Sequence, residues 1–435
     1  MEIPKFVMII IERLRDCGYQ AYIVGGAIRD MCLDRPVGDW DVATSAPHEK
    51  IRSIFGDMRY FSIKHDTVTL VDDAHHYEVT TFRGSGKIQH SIEEDLGHRD
   101  FTINAMAYDA YGTGKRAILD PHGGREDILR KQVRAVGNPK ERFLEDPHRL
   151  LRAIRLAAEL TFRIEQRTME TISMMSQQLA SVAQERIRDE LMKILMTTRP
   201  SLGFNLMVRT GLLKQFLPEL LEGYRKKQNK YHRYTIYKHV MESVDRVGPN
   251  PTLRLTALFH DIAKPRVRQK KKGEWHFTGH EEASARLAGE IMERLRFSSK
   301  MKDQVVTLIE HHMIWYDSEW TDGAVRRLIR RVGPENIDHL ISFRRADLLA
   351  HGQGDGKLDL LSGLEKRIEE LSKRPLTLKA KDLAINGHTI MELLGLLPGP
   401  NVGKIVNELM EKVTDHPELN TKEGLIALLK EKKKE

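Results

Sequence analysis

Asp39 and Asp41 stand one residue apart, and Gly25-Gly26 and Arg29 lie shortly before them. In an extended segment side chains alternate with a period of two, so both carboxylates face the same way. Two carboxylates beside phosphate oxygens form a set for Mg²⁺, which takes oxygen ligands and keeps substrate in its shell. The glycines follow the apolar run Ala21 to Val24, a pattern that predicts a strand closing into a turn and opening a helix. Backbone N–H groups at such a turn approach an anion closely. Arg29, one turn along, adds a fork of donors for a phosphate. Each part has a bland reading: a tight turn, a solvated strand edge, and a surface pair at Arg29-Asp30. Their order within Tyr22 to Thr44 makes a metal-assisted nucleotide site the stronger one. Glu78, on a later strand-like run, either completes a carboxylate triad or faces outward from an alternating strand.

A second group lies in DLGHRDFTINAMAYD, which carries His98, Arg99, Asp100, Thr102 and Asn104. Arg99 and Asp100 either meet a triphosphate and a ribose hydroxyl or form a surface ion pair where a buried strand, Phe101 to Tyr108, begins. A helix is expected over Glu141 to Leu160, with Arg149, Arg152 and Arg155 three apart. They drift by about 60° per step and make one broad basic face. Such a row is commonly solvated, but Glu145, Asp146 and Arg149 at its start favour a nucleobase, since Asp accepts and Arg donates to base edges. Gln184 to Leu195 reads as an amphipathic helix of structural role.

The third group is rich in histidine: His239, His260-Asp261, His280, His311-His312 and Asp347. His239 is expected to precede a helix, His260-Asp261 to end the apolar run Leu253 to Phe259, and His280 to open a helix. A lone helical histidine is usually a satisfied core or surface group. An adjacent His-Asp in an apolar setting, with histidines on neighbouring helices, points to a metal centre.

These groups need a scaffold that the rest of the chain must supply. At 435 residues it is long enough for two to four domains. Lys+Arg 70 against Asp+Glu 62 gives +8, compatible with a polyanionic partner without requiring one. The two cysteines, Cys17 and Cys32, make no metal or redox motif, which excludes a disulfide framework and points to a reducing compartment. The apolar run Phe6 to Ile11 is too short for a signal or a span, so a cytoplasmic protein without membrane contact is expected. Residues 4–16 and Pro47 to Phe55 have helical spacing, the latter with Ser45 as its cap. Met58 to Ile63, Thr67 to Val71 and Tyr77 to Phe82 read as strands. The fold class expected is therefore α+β, a mixed sheet with helices over 1–140 followed by an all-α remainder. Asp120 to Ile128 reads as a turn-rich hinge loop. The basic, tyrosine-laced stretch from Tyr224 to His239 suits a phosphate backbone and stacked bases or a solvated loop. Arg266 to Gly273 reads as an exposed hairpin or loop tip, and the tail from 376 as a small helical domain.

In order, GGAIRD, GDWDVAT, HRDFTINAMA, DPHGGREDI, EDPHRLLRAIR and ERIRDEL resemble the bacterial class II tRNA nucleotidyltransferases that build the CCA end. The likeness runs from residue 1 to about 220 and again through the tail, and it implies a nucleotidyltransferase palm (1–140), a helical neck (141–224), a body (225–375) and a tRNA-binding tail (376–435). It implies that Asp39 and Asp41 are the catalytic Mg²⁺ ligands and that Gly26, Arg29, Arg99 and Asp100 contact the nucleotide. Asp146 and Arg149 would read the Watson–Crick edge of the incoming base, with Arg152 and Arg155 as further contacts. The family's RRDFT is HRDFT here, with His98 in place of the first arginine. The link Arg83 to His90 is shorter than the loop that supports the change to ATP. It resembles that of the CC-adding branch, which takes CTP, adds two C residues to tRNA and leaves the A to a separate enzyme. A full CCA-adding enzyme, using ATP as well, is the alternative. Residues 230–350 resemble the HD phosphohydrolases, implying an unidentified divalent metal on His239, His260, Asp261 and Asp347 and a second on His280 and His311, with His312 able to replace His311. Phosphatase or cyclic phosphodiesterase activity on tRNA ends is the implied chemistry, and an HD fold kept only for tRNA contact is its rival.

Overall fold

The computed structural model describes residues 3–64, 67–72, 75–84, 90–112, 117–229, 233–317, 319–351, 357–373 and 379–432. Expectations placed on 85–89 of the short link and on 230–232 of the basic stretch fall outside the described residues. The chain forms two compact units, Met1–Pro218 and Glu219–Glu435.

In the first unit, α1 (Lys5–Asp16) buries Val7, Ile10, Ile11 and Leu14, the face its helical spacing selects. A seven-stranded sheet follows, with α2 (Gly26–Cys32) and α3 (His48–Ile54) between its early strands. Its strands are β1 (Ala21–Val24), β2 (Trp40–Thr44), β3 (Tyr60–Lys64), β4 (Thr67–Asp72), β5 (His75–Thr81), β6 (Ala107–Tyr108) and β7 (Ile118–Leu119). The order is β3-β4-β5-β2-β1-β6-β7. β2 and β5 are parallel while the other neighbours are antiparallel, so the sheet is mixed, as expected. The chain then runs through α4 (Ile92–Gly97), α5 (Gly124–Leu129), α6 (Pro139–Glu145), α7 (Arg149–Leu160), α8 (Gln166–Met175) and α9 (Gln184–Leu195).

Local details depart from the sequence expectations for identifiable reasons. The helix expected over Glu141 to Leu160 is two helices, because Pro147 disfavours helical backbone at Asp146, whose φ is −149°. Phe101 to Tyr108 is strand only at its end. Thr102–Asn104 form a 3-10 turn, held where the Thr102 hydroxyl bonds Asp127 Oδ2 at 2.6 Å and the Asn104 amide bonds Asp100 Oδ1 at 3.1 Å. Ser45 does not cap α3; its hydroxyl accepts from the Gln20 N–H at 2.8 Å. Asp120 to Ile128 is not all loop, since both Asp120 oxygens accept from Gly124 and Arg125 N–H groups and start α5 there.

The second unit is almost entirely helical. Helices Ile236–Arg246, Pro251–Phe259, His280–Arg294, Ser299–Glu310 and Ile337–Ala350 carry or flank the histidines. His239 lies inside the first of these rather than before it. The basic stretch after Val267 is a two-stranded hairpin, Gln269–Lys271 with Glu274–His276. Helices Asp322–Val332 and Lys357–Ser372 share an apolar core built on Leu328, Ile329, Leu361 and Leu364. The tail helices close a separate core around Ile390, Leu409, Val413 and Leu425. Among the described residues no helix is long and apolar enough to cross a membrane.

Candidate active site and candidate metal centre

Sheet register brings the first carboxylates together. Asp41 on β2 lies opposite Val24 on β1 and opposite Glu78 on the parallel β5. Asp39 precedes β2 and is exposed. Burial, then the charge of Glu78, and more weakly that of Asp39, push the Asp41 carboxyl up to about 6. Like-charged carboxylates held this way are a donor set that a divalent cation would relieve.

Gly25 links this pair to the arginines. Its φ is +77°, and a Cβ there would lie 3.1 Å from Arg99 Nη1 and 3.3 Å from Asp41 Oδ2. The turn therefore needs glycine for both backbone and space. Gly25→Ala is expected to cost about 1–2 kcal/mol of stability. It should also push Arg99 from Asp41, seen as a lower melting midpoint and slower nucleotide transfer. Gly26 opens α2 beneath the Arg29 guanidinium. Arg29 is buried and paired twice, with Asp30 at 3.0 and 2.9 Å and with Asn104 Oδ1 at 2.8 Å.

From Asn104 the network continues into the helices. Asn104 donates to Asp100 Oδ1, which also accepts from the Phe101 N–H at 2.8 Å, while Arg152 Nε donates to Asp100 Oδ2 at 2.8 Å. Burial alone would raise the Asp100 carboxyl, but Arg152 and these hydrogen bonds hold it down at about 2. Arg99 is fixed differently. Its Nε donates to buried Asp95 Oδ2 at 3.0 Å, and the other oxygen of Asp95 accepts the Arg83 N–H at 3.1 Å.

The Arg149 N–H bonds the Asp146 carbonyl at 3.0 Å, but their side chains turn to other partners. Asp146 sits at the break between α6 and α7 and is gripped by both terminal nitrogens of Arg186, at 3.1 and 2.8 Å. Although burial opposes it, this grip lowers the Asp146 carboxyl. Arg149 reaches Glu145 at 2.9 Å and the His98 carbonyl at 2.9 Å. The latter contact uses the backbone of His98, so the departure from the family arginine leaves it intact. Arg155 donates to Glu190 at 2.9 Å and to Glu159 at 2.7 Å. Arg186 and Glu190 both come from α9, which the sequence marks as amphipathic and, through ERIRDEL, as part of the resemblance, without a role for either residue. The signal available was two charges, four apart, on one face of that helix.

The histidine groups converge in the second unit. His239, His260 and Asp261 have ligand atoms within 4.8 Å of one another, as do Asp261, His280 and His312, and His239, Asp347 and His351. His312, not His311, occupies this cluster; it is buried, with its ring 5.4 Å from His260 and 5.2 Å from His280, whereas His311 is half-buried outside the cluster. The helix ends at Glu310, and the turn that follows sends the second histidine inward. His351 joins through its place one helical turn after Asp347, a spacing the sequence reading passed over. His260, His280 and His312 each set Nδ1 against a backbone carbonyl, at 2.9, 2.9 and 2.7 Å. A carbonyl only accepts, so Nδ1 carries a hydrogen in each ring and Nε2 is the nitrogen turned inward. His260 Nε2 and His239 Nε2 are 3.2 Å apart, and both Nδ1 atoms face carbonyls. Although burial opposes it, Asp261 and Asp347 raise the His260 imidazole to about 9, so positive charge is favoured at this point between the rings. Asp261 Oδ1 and His280 Nε2 are buried and face each other at 3.4 Å, and neither makes a hydrogen bond among the described residues. This donor set fits a divalent metal.

The Poly A polymerase head domain matches residues 21–134, the probable RNA and SrmB-binding site of polymerase A matches 161–223, and the HD domain matches 231–384. A CCA-adding enzyme of Anoxybacillus flavithermus is 32% identical over 427 residues, covering 96% of this chain and 94% of its own. An A-adding tRNA nucleotidyltransferase of Deinococcus radiodurans is 30% identical over 414 residues, 90% and 91% of the two chains. The crystal structure of the Bacillus stearothermophilus CCA-adding enzyme in complex with CTP superposes with a TM-score of 0.74 at 28% identity, covering 100% of this chain and 98% of that one.

Proposed function

From the premise that the chain belongs to the bacterial class II CCA-adding tRNA nucleotidyltransferases, with an HD domain, we propose that it adds two CMP residues from CTP to the 3′ end of tRNA and stops. The observation that carries this is the short link after Arg83. Its start is fastened to Asp95, the same carboxylate that holds Arg99. A link of few residues on so fixed a base has little length with which to help rearrange the site for a second kind of nucleotide.

Asp39 and Asp41, with Glu78 beside Asp41, are the residues that would hold Mg²⁺ here. When bound, the ion supplies neutralisation of phosphate charge and a more acidic attacking hydroxyl. The protein's own part is placement. Arg99 stands next to Asp41 across Gly25, where its guanidinium edge would meet triphosphate oxygens. The chain Arg29–Asn104–Asp100–Arg152 ties the palm helix α2 to α7 and keeps the nucleotide-facing side chains in one frame. Cytosine is selected by Asp146 accepting from the N4 amine and Arg149 donating to ring acceptors, with no nucleic-acid template. Arg186 holds Asp146 ionised and aimed, so it is a positioning residue. The 3′-hydroxyl oxygen attacks the α-phosphorus and gives up its proton to solvent, the new P–O bond forms, and the bond to the oxygen shared with the β-phosphate breaks, so that pyrophosphate leaves.

The test is stepwise extension of a tRNA that lacks its CCA end, given CTP and ATP together. Accumulation of the CC product is expected. Efficient AMP incorporation after CC would replace this reading with full CCA addition, the activity named for the Anoxybacillus relative.

A second reading concerns the HD domain, for which the buried histidine-aspartate cluster is the observation. We infer a metal-dependent hydrolase of phosphate esters at RNA ends, with His239, His260, Asp261 and Asp347 as one ligand group and His280 and His312 extending it through Asp261.

A further inference from the structure

A cavity of about 480 Å³ opens over the histidine-aspartate cluster, with Lys264, Arg344 and Lys357 in its wall. Beside it lies a hollow of about 120 Å³ bounded by Ile314, Tyr316, Leu348 and Leu361. The two spaces share Trp315, Arg344 and Lys357. A compartment lined by histidines and charged side chains and an apolar one therefore meet at an indole and two cations. Trp315 is 68% exposed, whereas Tyr316 and Trp320 pack edge to face against each other at 5.6 Å. An exposed indole beside cations is a stacking platform for a base, which offers a flat π-face whatever its sequence. The cavity's volume falls in the range of about 300–1,000 Å³ that small-ligand sites occupy.

The inner wall is organised for a phosphate. Arg344 pairs with Asp347 Oδ2 at 2.6 Å and Lys264 with Asp261 Oδ2 at 2.7 Å. Each cation is thus fixed at the rim of the cluster by one of its carboxylates; Lys264 also donates to Gln228 Oε1 at 3.2 Å, while Arg344 has further N–H donors to offer an anion. Lys357, at the start of helix Lys357–Ser372, stands on the side shared with the hollow.

We propose that this two-part cavity binds a nucleotide with a terminal phosphate, its base stacked on Trp315 over the apolar hollow and its phosphate between Lys357, Arg344 and the cluster. The inference rests on the reading of the cluster as a phosphate-ester hydrolase and names its substrate class. A free mononucleotide and the phosphorylated end of an RNA present this same chemistry.

The test is equilibrium dialysis of the full chain, in Mn²⁺ buffer, with AMP, a 3′-phosphorylated trinucleotide and inorganic phosphate. Trp315→Ala should weaken binding of both nucleotide probes about tenfold and leave phosphate binding unchanged. Trp315→Phe should restore nucleotide binding, and CMP transfer should be the same in all three proteins. Tighter binding of the trinucleotide assigns the site to RNA ends, and tighter binding of AMP assigns it to free nucleotides; either supports the subsite. Equal affinity of Trp315→Ala and the parent chain for both probes overturns it. Trp315-dependent binding without phosphate release under Mg²⁺, Mn²⁺ or Ni²⁺ would keep the subsite and remove the hydrolase reading. Phosphate release that is indifferent to Trp315 would do the opposite.

Discussion

Replacing Asp41 with asparagine is expected to lower CMP transfer at least about a thousandfold, the scale on which loss of a central metal ligand or catalytic group is felt. The amide keeps the shape of the carboxylate but removes its charge, so loss of transfer would report the metal role rather than packing. Stability should move the other way. In the fold Asp41 lies against Glu78 on the neighbouring strand, and its carboxyl is raised from 3.8 to about 6. A raised carboxyl means that at neutral pH the ionised form is disfavoured by folding. In chelator, Asp41→Asn should therefore melt no lower than the parent. A clear fall in midpoint together with lost transfer would assign Asp41 a structural role instead. The reciprocal arm uses a 2′,3′-cyclic nucleotide and a series of divalent metals. Its hydrolysis should survive Asp41→Asn and vanish with Asp261→Ala, and absence of hydrolysis with every metal would leave the HD domain as a tRNA-contacting fold.

The second large effect is expected at Asp100. It is buried and accepts hydrogen bonds from Arg152, Asn104 and the Phe101 N–H. Asp100→Asn removes the charge opposite Arg152 and places an amide donor where two donors already point. With the carboxyl held at about 2 against an ordinary 3.8, the ionised form contributes about 2 kcal/mol. A depressed carboxyl adds stability above its unfolded value and loses it as pH falls through the folded one. The parent should therefore exceed the variant at pH 7, by roughly 4–8 °C in melting midpoint. The gap should narrow as pH falls below 3.8 toward about 2. Because Asp100 joins Arg29, through Asn104, to Arg152, the KM for CTP should also rise about tenfold. An unchanged KM beside a lower midpoint would make Asp100 purely structural.

The mixed α+β head, the helical remainder and the family were legible in the sequence, because glycine turns, strand-length apolar runs and ordered motifs are local signals. Glu78 illustrates the limit of such signals. Alternation said that it faces one side of a strand, but only the parallel register of β5 with β2 puts it opposite Asp41. The same holds for Asp146 and Arg186, forty residues apart, where nothing near either one announces the other. The choice between His311 and His312 turned on where a helix ended, and boundaries are the least local feature of a helical pattern. Pro147 was the opposite case, since a break before it was readable from the residue itself.

The base of the short link has a further consequence. Ser91 and Glu94 form a reciprocal cap at the head of α4, and the His90 ring bonds the same glutamate at 3.2 Å. Gly84 passes so close to that ring that a Cβ would collide with it. On the other side, Asp95 fastens Arg83. Both ends of the link are therefore clamped by α4, independently of what joins them. Such a stem works as a socket: residues between Gly84 and His90 can be lengthened, shortened or exchanged while the sheet and its carboxylates stay in place. On the CC-adding reading proposed above, swapping this one small insert would change how many nucleotides are added, without rebuilding the catalytic fold. The same socket is the natural graft point for converting this chain experimentally.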